Sequence, residues 1–451
     1  MVSSSLLKTV NFSNLSRWSV NSTLAKKIKS NYPLVPLSQI MKRVKEPVYV
    51  DNDTLYKRIT VRLYGLGVLQ RDKLYGRDIG TKKQFIARKG QLIISRIDAR
   101  NGAFGIVPDE LDGAIVTNDF WLFDVKNAIP QYLSLVLSSQ YFQKYWEAQS
   151  SGTTNRQRVD EDDFLMSKIA LPSIDEQLAL INHYEKRVGV ANEVVAEEEQ
   201  MQTSITDYLT KVLGIVETKA EPIQMFSTVK YSTIDKWGVD FLTSSRVIYN
   251  KRYPTRTIGS ICDSGSGGTP SRSVASYYGG DIPWIKTGEV LDDIIYDTEE
   301  KITQEAVNNS SAKLYPKGSI VIAMYGQGLT RGRTAKLGID ATTNQACLVL
   351  YNIDTDKVLP DYLWYYLQGE YHRLRALAYG NNQPNLNAGI INNYPIVIPP
   401  IKSDNPLEIT QTAIVKEIVK RKEQIKTLKI KANELKEEAQ RLFEEAVFGE
   451  A

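Results

Sequence analysis

Cysteine and histidine are nearly missing from this chain. Among 451 residues there are two cysteines, Cys262 and Cys347, and two histidines, His183 and His372. Two cysteines build neither a disulfide framework nor a zinc ribbon, and no His–Cys metal cluster is present. This usage fits a reducing cytoplasm. No run of 18 apolar residues occurs, so no membrane span is expected. Leu6 and Leu7 are followed at once by Lys8, which leaves no apolar stretch for a signal peptide. A strong excess of one charge is missing too: 56 Lys and Arg stand against 52 Asp and Glu, a net +4. If nucleic acid is bound, positive charge must be placed locally or supplied by a partner. Catalytic signatures are also lacking. There is no G-x4-G-K-[ST] loop for ATP. An adenine methyltransferase would carry Asn/Asp-Pro-Pro-aromatic, and Asn393-Tyr394-Pro395 is not one. Gly65–Gly67 and Gly265–Gly267 lack a strand-to-helix phosphate context, and no compact arrangement of acids stands out.

What the chain does have is a long internal repeat. Val10, Phe12, Ser13, Trp18 and Val20 return at the same spacing as Val229, Tyr231, Ser232, Trp237 and Val239. Tyr32-Pro33 and Ile40 return as Tyr253-Pro254 and Ile261, and Lys89-Gly90 as Lys317-Gly318. Thr117-Asn118 matches Thr343-Asn344, Pro130-x-Tyr132-Leu133 matches Pro360-x-Tyr362-Leu363, Gly152 matches Gly380, and Pro172 matches Pro400. The offset drifts only from 219 to 234. Two copies of one domain, with pseudo-two-fold symmetry inside one chain, are expected. Each copy reads as mixed α and β. The apolar runs after the Lys-Gly turns predict buried strands, and the segments from Pro130 and Pro360 predict helices with proline in the first turn. Tyr394–Pro406 reads as a connector.

Each copy closes on a heptad seam. In the first it runs Gln177, Leu180, Tyr184, Arg187, Ala191, Val194, Glu198, Met201, Ile205, Tyr208, Val212. In the second it runs Gln411, Ile414, Ile418, Arg421, Ile425, Leu428, Ala432, Leu435, Ala439, Leu442, Ala446. Steps of three and four predict two long helices, each about 54 Å at roughly 1.5 Å per residue. Neither has the broad apolar face of an ordinary core helix, so each needs a partner, and the other is the obvious one. The expected fold is α+β: two repeated domains joined by two long antiparallel coiled-coil helices that act as a ruler.

The stretch Gly267-Gly268-Thr269-Pro270-Ser271-Arg272, then Tyr277-Tyr278-Gly279-Gly280-Asp281-Ile282-Pro283-Trp284-Ile285-Lys286-Thr287-Gly288-Glu289, resembles the signature of Type I restriction-modification specificity subunits. So does Asn382-Gln383-Pro384-Asn385-Leu386-Asn387, ending at Ile398-Pro399-Pro400. The first half has the weaker Ser151-Gly152-Thr153-Thr154-Asn155, Leu171-Pro172 and Asp175-Glu176-Gln177, and lacks the Gly-Gly-Thr-Pro and Pro-Trp-Ile elements. After Pro400 the second half carries six extra residues before its helix. The resemblance implies target-recognition domains at 1–174 and 218–406, with long helices at 175–217 and 407–451. It implies that each domain reads one half of a split double-stranded DNA target. The helix pair would set the spacer and dock two modification (methyltransferase) subunits, joined by restriction (translocase/nuclease) subunits. It further implies a cytoplasmic bacterial or archaeal protein that is not itself an enzyme and binds no cofactor. S-adenosylmethionine, ATP and Mg would belong to the partners, which methylate adenine at N6.

DNA reading needs cations, hydroxyls and backbone N–H groups on phosphates, and amides or guanidiniums on base edges. Loops with such residues fall at matching places in both halves. The first half offers Arg96, Arg100, Asn101, then Thr153, Thr154, Asn155, Arg156, Gln157 and Arg158. The second offers Gln327, Arg331, Arg333, then Asn381, Asn382, Gln383 and Asn385, with Ser271, Arg272, Lys286 and Thr287 in the signature itself. Any one of these reads equally as a solvated loop residue, and Gly-Gly-Thr-Pro equally as a tight turn. Two other readings stay open: a non-catalytic protein–protein scaffold with a coiled-coil core, and part of a self-sufficient restriction enzyme. Steep salt dependence would separate DNA binding from the scaffold.

Overall fold

The computed structural model of the chain describes residues 29–63, 65, 67–97, 102–143, 161–217, 247–249, 252–326, 328–378 and 385–449. The chain forms two compact units, one drawn from Met1–Val194 and Ile430–Ala451, the other from Val195–Lys429.

In the first unit the strands are β1 (Leu34–Pro36), β2 (Met41–Val44), β3 (Pro47–Tyr49), β4 (Leu55–Val61), β5 (Val68–Tyr75) and β6 (Lys83–Ile86). They continue with β7 (Leu92–Ser95), β8 (Phe104–Ile106), β9 (Ile115–Val116) and β10 (Phe120–Val125). Helices α1 (Pro130–Ser138) and α2 (Glu161–Met166), strand β11 (Lys168–Ala170) and the long helix α3 (Ile174–Leu213) follow. An antiparallel sheet has the order β2-β10-β7-β8, a mixed one has β3-β6-β9-β4-β5, and β1 pairs with β11. β7 is buried along its whole length, as its unbroken Leu-Ile-Ile run requires. Helix α1 turns Tyr132, Leu133, Val136 and Leu137 into a core with Leu92, Ile94, Trp121 and Phe123. Ile181 of α3 joins this core, and so do Phe443, Val447 and Phe448 from the chain's last helical turns.

The second unit repeats the plan. Its strands are β12 (Ile215–Glu217), β13 (Val247–Tyr249), β14 (Thr255–Thr257), β15 (Asp263–Ser266), β16 (Tyr278–Ile285), β17 (Ile294–Ile295) and β18 (Glu300–Ile302). After helix α4 (Gln304–Asn308) come β19 (Ile320–Ala323), β20 (Thr334–Leu337), β21 (Thr342–Thr343) and β22 (Cys347–Tyr351). Helices α5 (Pro360–Gly369), α6 (Tyr371–Ala376) and α7 (Ala388–Asn392), strand β23 (Pro395–Val397) and the long helix α8 (Gln411–Phe448) complete it. Here β15-β22-β19-β20 matches β2-β10-β7-β8, and β14-β23 matches β1-β11. The units differ in what is inserted between the matching strands. The first has the β3–β6 strands, whereas the second has β16, β17 and β18, with β18-β16-β21 forming a separate sheet.

The repeated residues do the same work in each unit. Gly90 and Gly318 adopt left-handed φ of 78° and 90°, the conformation glycine tolerates. Tyr132 donates its hydroxyl to the Ala170 carbonyl at 2.9 Å, and Tyr362 to that of Val397 at 2.6 Å. Gln177 and Gln411 are fully buried. Gln177 accepts from the Ile129 N–H at 2.8 Å and donates to the Pro172 carbonyl at 2.9 Å. Gln411 accepts from the Leu359 N–H at 2.8 Å and donates to the Lys357 and Pro399 carbonyls, both at 2.8 Å. Each glutamine thus ties the start of a long helix to the residue that precedes the proline-led helix. The repeat segments around Trp18 and Trp237 lie outside the described residues.

Both long helices are present, with somewhat different ends from those expected. α3 stops at Leu213 because Gly214 takes φ 63° and a strand follows. α8 starts at Gln411, after the extra residues of the connector. Gln411, Ile414, Ile418, Ile425, Ala432 and Ala439 of the expected seam are buried. At the outer ends the buried stripe widens or slips, to Leu209 and Leu213 on α3 and to Phe443 and Val447 on α8, while Ala446 is exposed. The 3.6-residue turn drifts against a strict heptad, and these ends enter the domain cores, Leu209 and Leu213 that of the second unit, Phe443 and Val447 that of the first. Within the second unit Arg421 donates to the Ser204 carbonyl at 2.9 Å, and Lys429 pairs with Glu198 at 3.5 Å. The two helices run in opposite directions there.

Cys262 and Cys347 are both buried and unbridged, and burial pushes each thiol up to about 12. Among the described residues no helix is long and apolar enough to cross a membrane, and no group of acids, histidines and cysteines is placed to hold a metal.

Candidate nucleic-acid interface

The Gly-Gly-Thr-Pro run of the second unit is a close approach rather than a left-handed turn. An added Cβ on Gly267 would stand 2.0 Å from the Thr343 carbonyl oxygen, and one on Gly268 2.4 Å from the Ala312 nitrogen. The aromatic half of the signature locks onto this strand. Buried Trp284 donates its indole N–H to the Gly268 carbonyl at 2.9 Å, and Tyr278 donates its hydroxyl to that of Pro270 at 2.6 Å. Folding these side chains over the glycines leaves Arg272 at the surface.

The structure brings Arg272 and Lys286 together on one acid. Arg272 pairs with Glu300 at 2.8 Å, and its guanidinium lies 4.3 Å from the Tyr278 ring centre and 5.3 Å from that of Trp284. Lys286 reaches Glu299 at 2.9 Å and Glu300 at 3.1 Å. The Arg272 hydrogen bond holds the Glu300 carboxyl below its usual range, and Glu299 followed by Glu300 raises the Lys286 ammonium. These two cations are therefore oriented and partly neutralised. Ser271 shares a hydrogen bond with Ser273 at 2.8 Å, and Thr287 opens the short turn Thr287–Glu289.

A second cluster forms around the loop between β19 and β20. Helix α6 clamps it: Tyr371 donates to the Leu329 carbonyl, and Arg375 donates to those of Arg331 and Gly328, all at 2.7 Å. Arg333 lies 3.6 Å from Asp292. The Leu386 N–H donates to the Met324 carbonyl at 3.1 Å, which seats Asn385 beside the start of the same loop. Asn385 thereby sits beside the start of the loop that bears Arg331 and Arg333, although 52 positions separate Arg333 from Asn385 in the sequence.

In the first unit Arg96 follows β7 and stacks 5.4 Å from the Trp121 ring centre. A residue not singled out in the sequence, Arg43 of β2, lies 5.9 Å from the same ring and 5.5 Å from that of Phe123. Strand pairing puts Arg43 opposite Phe123, two residues along β10 from Trp121. Arg43 faces Glu161 at 3.7 Å and donates to the Phe120 carbonyl at 3.2 Å. Burial above all lowers its guanidinium to about 10; Glu161 opposes that shift and Arg96 adds to it. Two half-buried arginines thus flank a tryptophan at the end of the sheet. Only the β2–β10 register links them, so sequence spacing carries no sign of it. Arg100, Asn101, Thr153, Thr154, Asn155, Arg156, Gln157, Arg158, Gln327, Asn381, Asn382 and Gln383 lie outside the described residues.

Comparison with known proteins places this geometry. Residues 250–437 match the family described as the Type I restriction modification DNA specificity domain. A Type I restriction enzyme MjaIX specificity subunit from Methanocaldococcus jannaschii is 29% identical over 171 residues, 36% of this chain and 38% of that protein. A Type I restriction enzyme EcoR124I/EcoR124II specificity subunit from Escherichia coli is 32% identical over 112 residues, 24% of this chain and 27% of that protein. The chain thus spans about a third of the length of these relatives in aligned sequence. A chain from a solved structure concerned with assembly and conformational transition of the type I R-M system shares the fold. Its TM-score is 0.54 at 17% identity, over 93% of this chain and 98% of that one. The similarity to Type I restriction modification DNA specificity domains thus spans residues 250–437, most of the second unit and the greater part of the last helix.

Proposed function

We propose that the chain is the DNA-reading subunit of a Type I restriction-modification complex, without catalysis of its own. The single observation that carries this is the second unit's signature. Its glycines and aromatics are spent on packing, and that packing leaves Arg272 exposed beside the half-buried Lys286. In this reading 1–174 and 218–406 are target-recognition domains, each for one half of a split double-stranded target. The long helices form an antiparallel coiled coil under pseudo-two-fold symmetry, set the unread spacer and dock two modification subunits. Those bring S-adenosylmethionine, and restriction subunits bring ATP and Mg. The place of action is the cytoplasm of a bacterium or archaeon.

Modified-base sequencing of host DNA, with the modification subunit expressed and this gene present or deleted, tests the reading. Loss of N6-methyladenine at one split motif on deletion is the expected result. Unchanged methylation would overturn it and favour a protein–protein scaffold. With the motif known, Asn382→Ala together with Gln383→Ala should relax recognition of one half-site and leave the other intact. Sequencing of DNA modified by that variant checks the assignment.

A further inference from the structure

Resting on that reading, we propose that Leu329, near the middle of the loop between β19 and β20, makes an apolar contact with the bases of one half-site. Leu329 is 67% exposed and belongs to none of the buried apolar clusters of the described residues. A single exposed leucine is ordinary on a protein surface. What sets this one apart is how firmly the backbone beneath it is held. Tyr371 donates its hydroxyl to the Leu329 carbonyl itself at 2.7 Å. Arg375 takes the carbonyls on either side, those of Gly328 and Arg331, and its guanidinium lies 5.3 Å from the Tyr371 ring centre. The Arg333 N–H closes the turn on the Thr330 carbonyl at 3.1 Å. Gly328 and Gly332 take left-handed φ of 63° and 86°, which lets the chain double back this tightly. Residues 328–333 are thus set before any partner arrives, and an already ordered residue loses less entropy on binding.

Electrostatics turns the same loop toward a polyanion. The sequence has no acid between Glu305 and Asp340, nor between Glu370 and Asp404. The first stretch carries the loop, the second carries α6, and the hydrogen bonds above bring the two together. Asp292, from a neighbouring turn, lies 3.6 Å from Arg333, and buried Glu370 holds Arg373 at 2.6 Å. The carbonyls of Gly328, Leu329 and Arg331 would repel a phosphate if they faced it, but all three are occupied by donors of α6. What the loop offers outward at Leu329 is an alkyl group. Phosphates give such a group nothing to hold. Bases do, through a thymine methyl in the major groove or through a base step opened by an apolar wedge.

The test uses the full chain with its modification subunits and a duplex bearing the split motif recovered by modified-base sequencing. Leu329→Ala and Leu329→Asn should each weaken binding roughly tenfold, the lower end of what burying a leucine contributes. The slope of log affinity against log salt should not change, because no phosphate contact is removed. Leu329→Met, which stays apolar, should bind as the unaltered protein does. Leu329 lies outside the cores, so all three variants should keep the same thermal midpoint. Deoxyuridine in place of each thymine and 2-aminopurine in place of each adenine tell the two base sources apart. A loss at one thymine that L329A no longer shows marks the methyl, and brightening on binding that L329A no longer shows marks the wedge. Full affinity in L329A and L329N, with the unaltered protein binding its motif, would overturn the leucine contact and leave the DNA reading standing. Weaker binding with neither base signature would overturn it too. So would a loss that follows fewer modification subunits per complex in native mass spectrometry, which would make Leu329 a protein contact. Failure of the unaltered protein to bind the duplex in a salt-dependent way would overturn both readings.

Discussion

Gln177 and Gln411 show how much a single buried amide can hold. Each satisfies a backbone N–H that no helix can reach, at the residue before a proline-led helix, and each also satisfies one or two carbonyls. Leaving such groups buried and unpaired costs about 1–3 kcal/mol apiece. Gln411→Leu is therefore expected to destabilise the second unit by about 3 kcal/mol, with a smaller loss for the conservative Gln411→Glu at acid pH. Urea unfolding followed by hydrogen exchange in β22 measures it, and a wild-type midpoint would show the repeated glutamine to be dispensable. The glutamine was visible in the sequence as the first residue of both seams. Arg43 was not, because nothing in Lys42-Arg43-Val44 points to Trp121 until β2 and β10 pair.

At the scale of elements, the recurring strands and helices were legible because their signals are local: a Lys-Gly turn, a buried run, a proline at the first turn. The β4–β5 pairing escaped because a register that slips between Arg58 and Ile59 leaves no mark on residue spacing. The glycine signature was legible as a motif and misleading as a turn, since close approach is a property of the neighbour. Gly268→Ala drives a Cβ into the backbone at Ser311 and Ala312. We expect it to disrupt the β18-β16-β21 sheet and shift Trp284 fluorescence to the red. Gly288→Ala, with open space at its Cβ, should fold normally. Normal Trp284 emission in G268A would show that the close approach can relax.

For the whole molecule, the division into units runs through both long helices, at Val194 and at Lys429. Periodicity continues unbroken across those positions, so no sequence signal marks them. The first unit's core takes Phe443, Val447 and Phe448 from the far end of the chain. Phe443 meets Tyr132 at 6.0 Å and Tyr184 at 6.1 Å between ring centres, and Phe448 stacks on Tyr141 at 4.7 Å. Burying each such side chain contributes about 1.5–3 kcal/mol. Removal of residues 440–451 is thus expected to strip hydrogen-exchange protection from β7 and β10, near the start of the chain, and to spare β19 and β22. Equal protection in both units after truncation would refute this.

That closing helix also sets a timetable. Domains usually fold in the order they leave the ribosome. Here the amino-terminal unit waits, with part of its apolar interior uncovered, until residues more than 400 positions from its first strand have been made. The earlier-born half is the last to be finished, and a growing chain carries an unsealed core from the making of Ile181 until Phe443, Val447 and Phe448 follow.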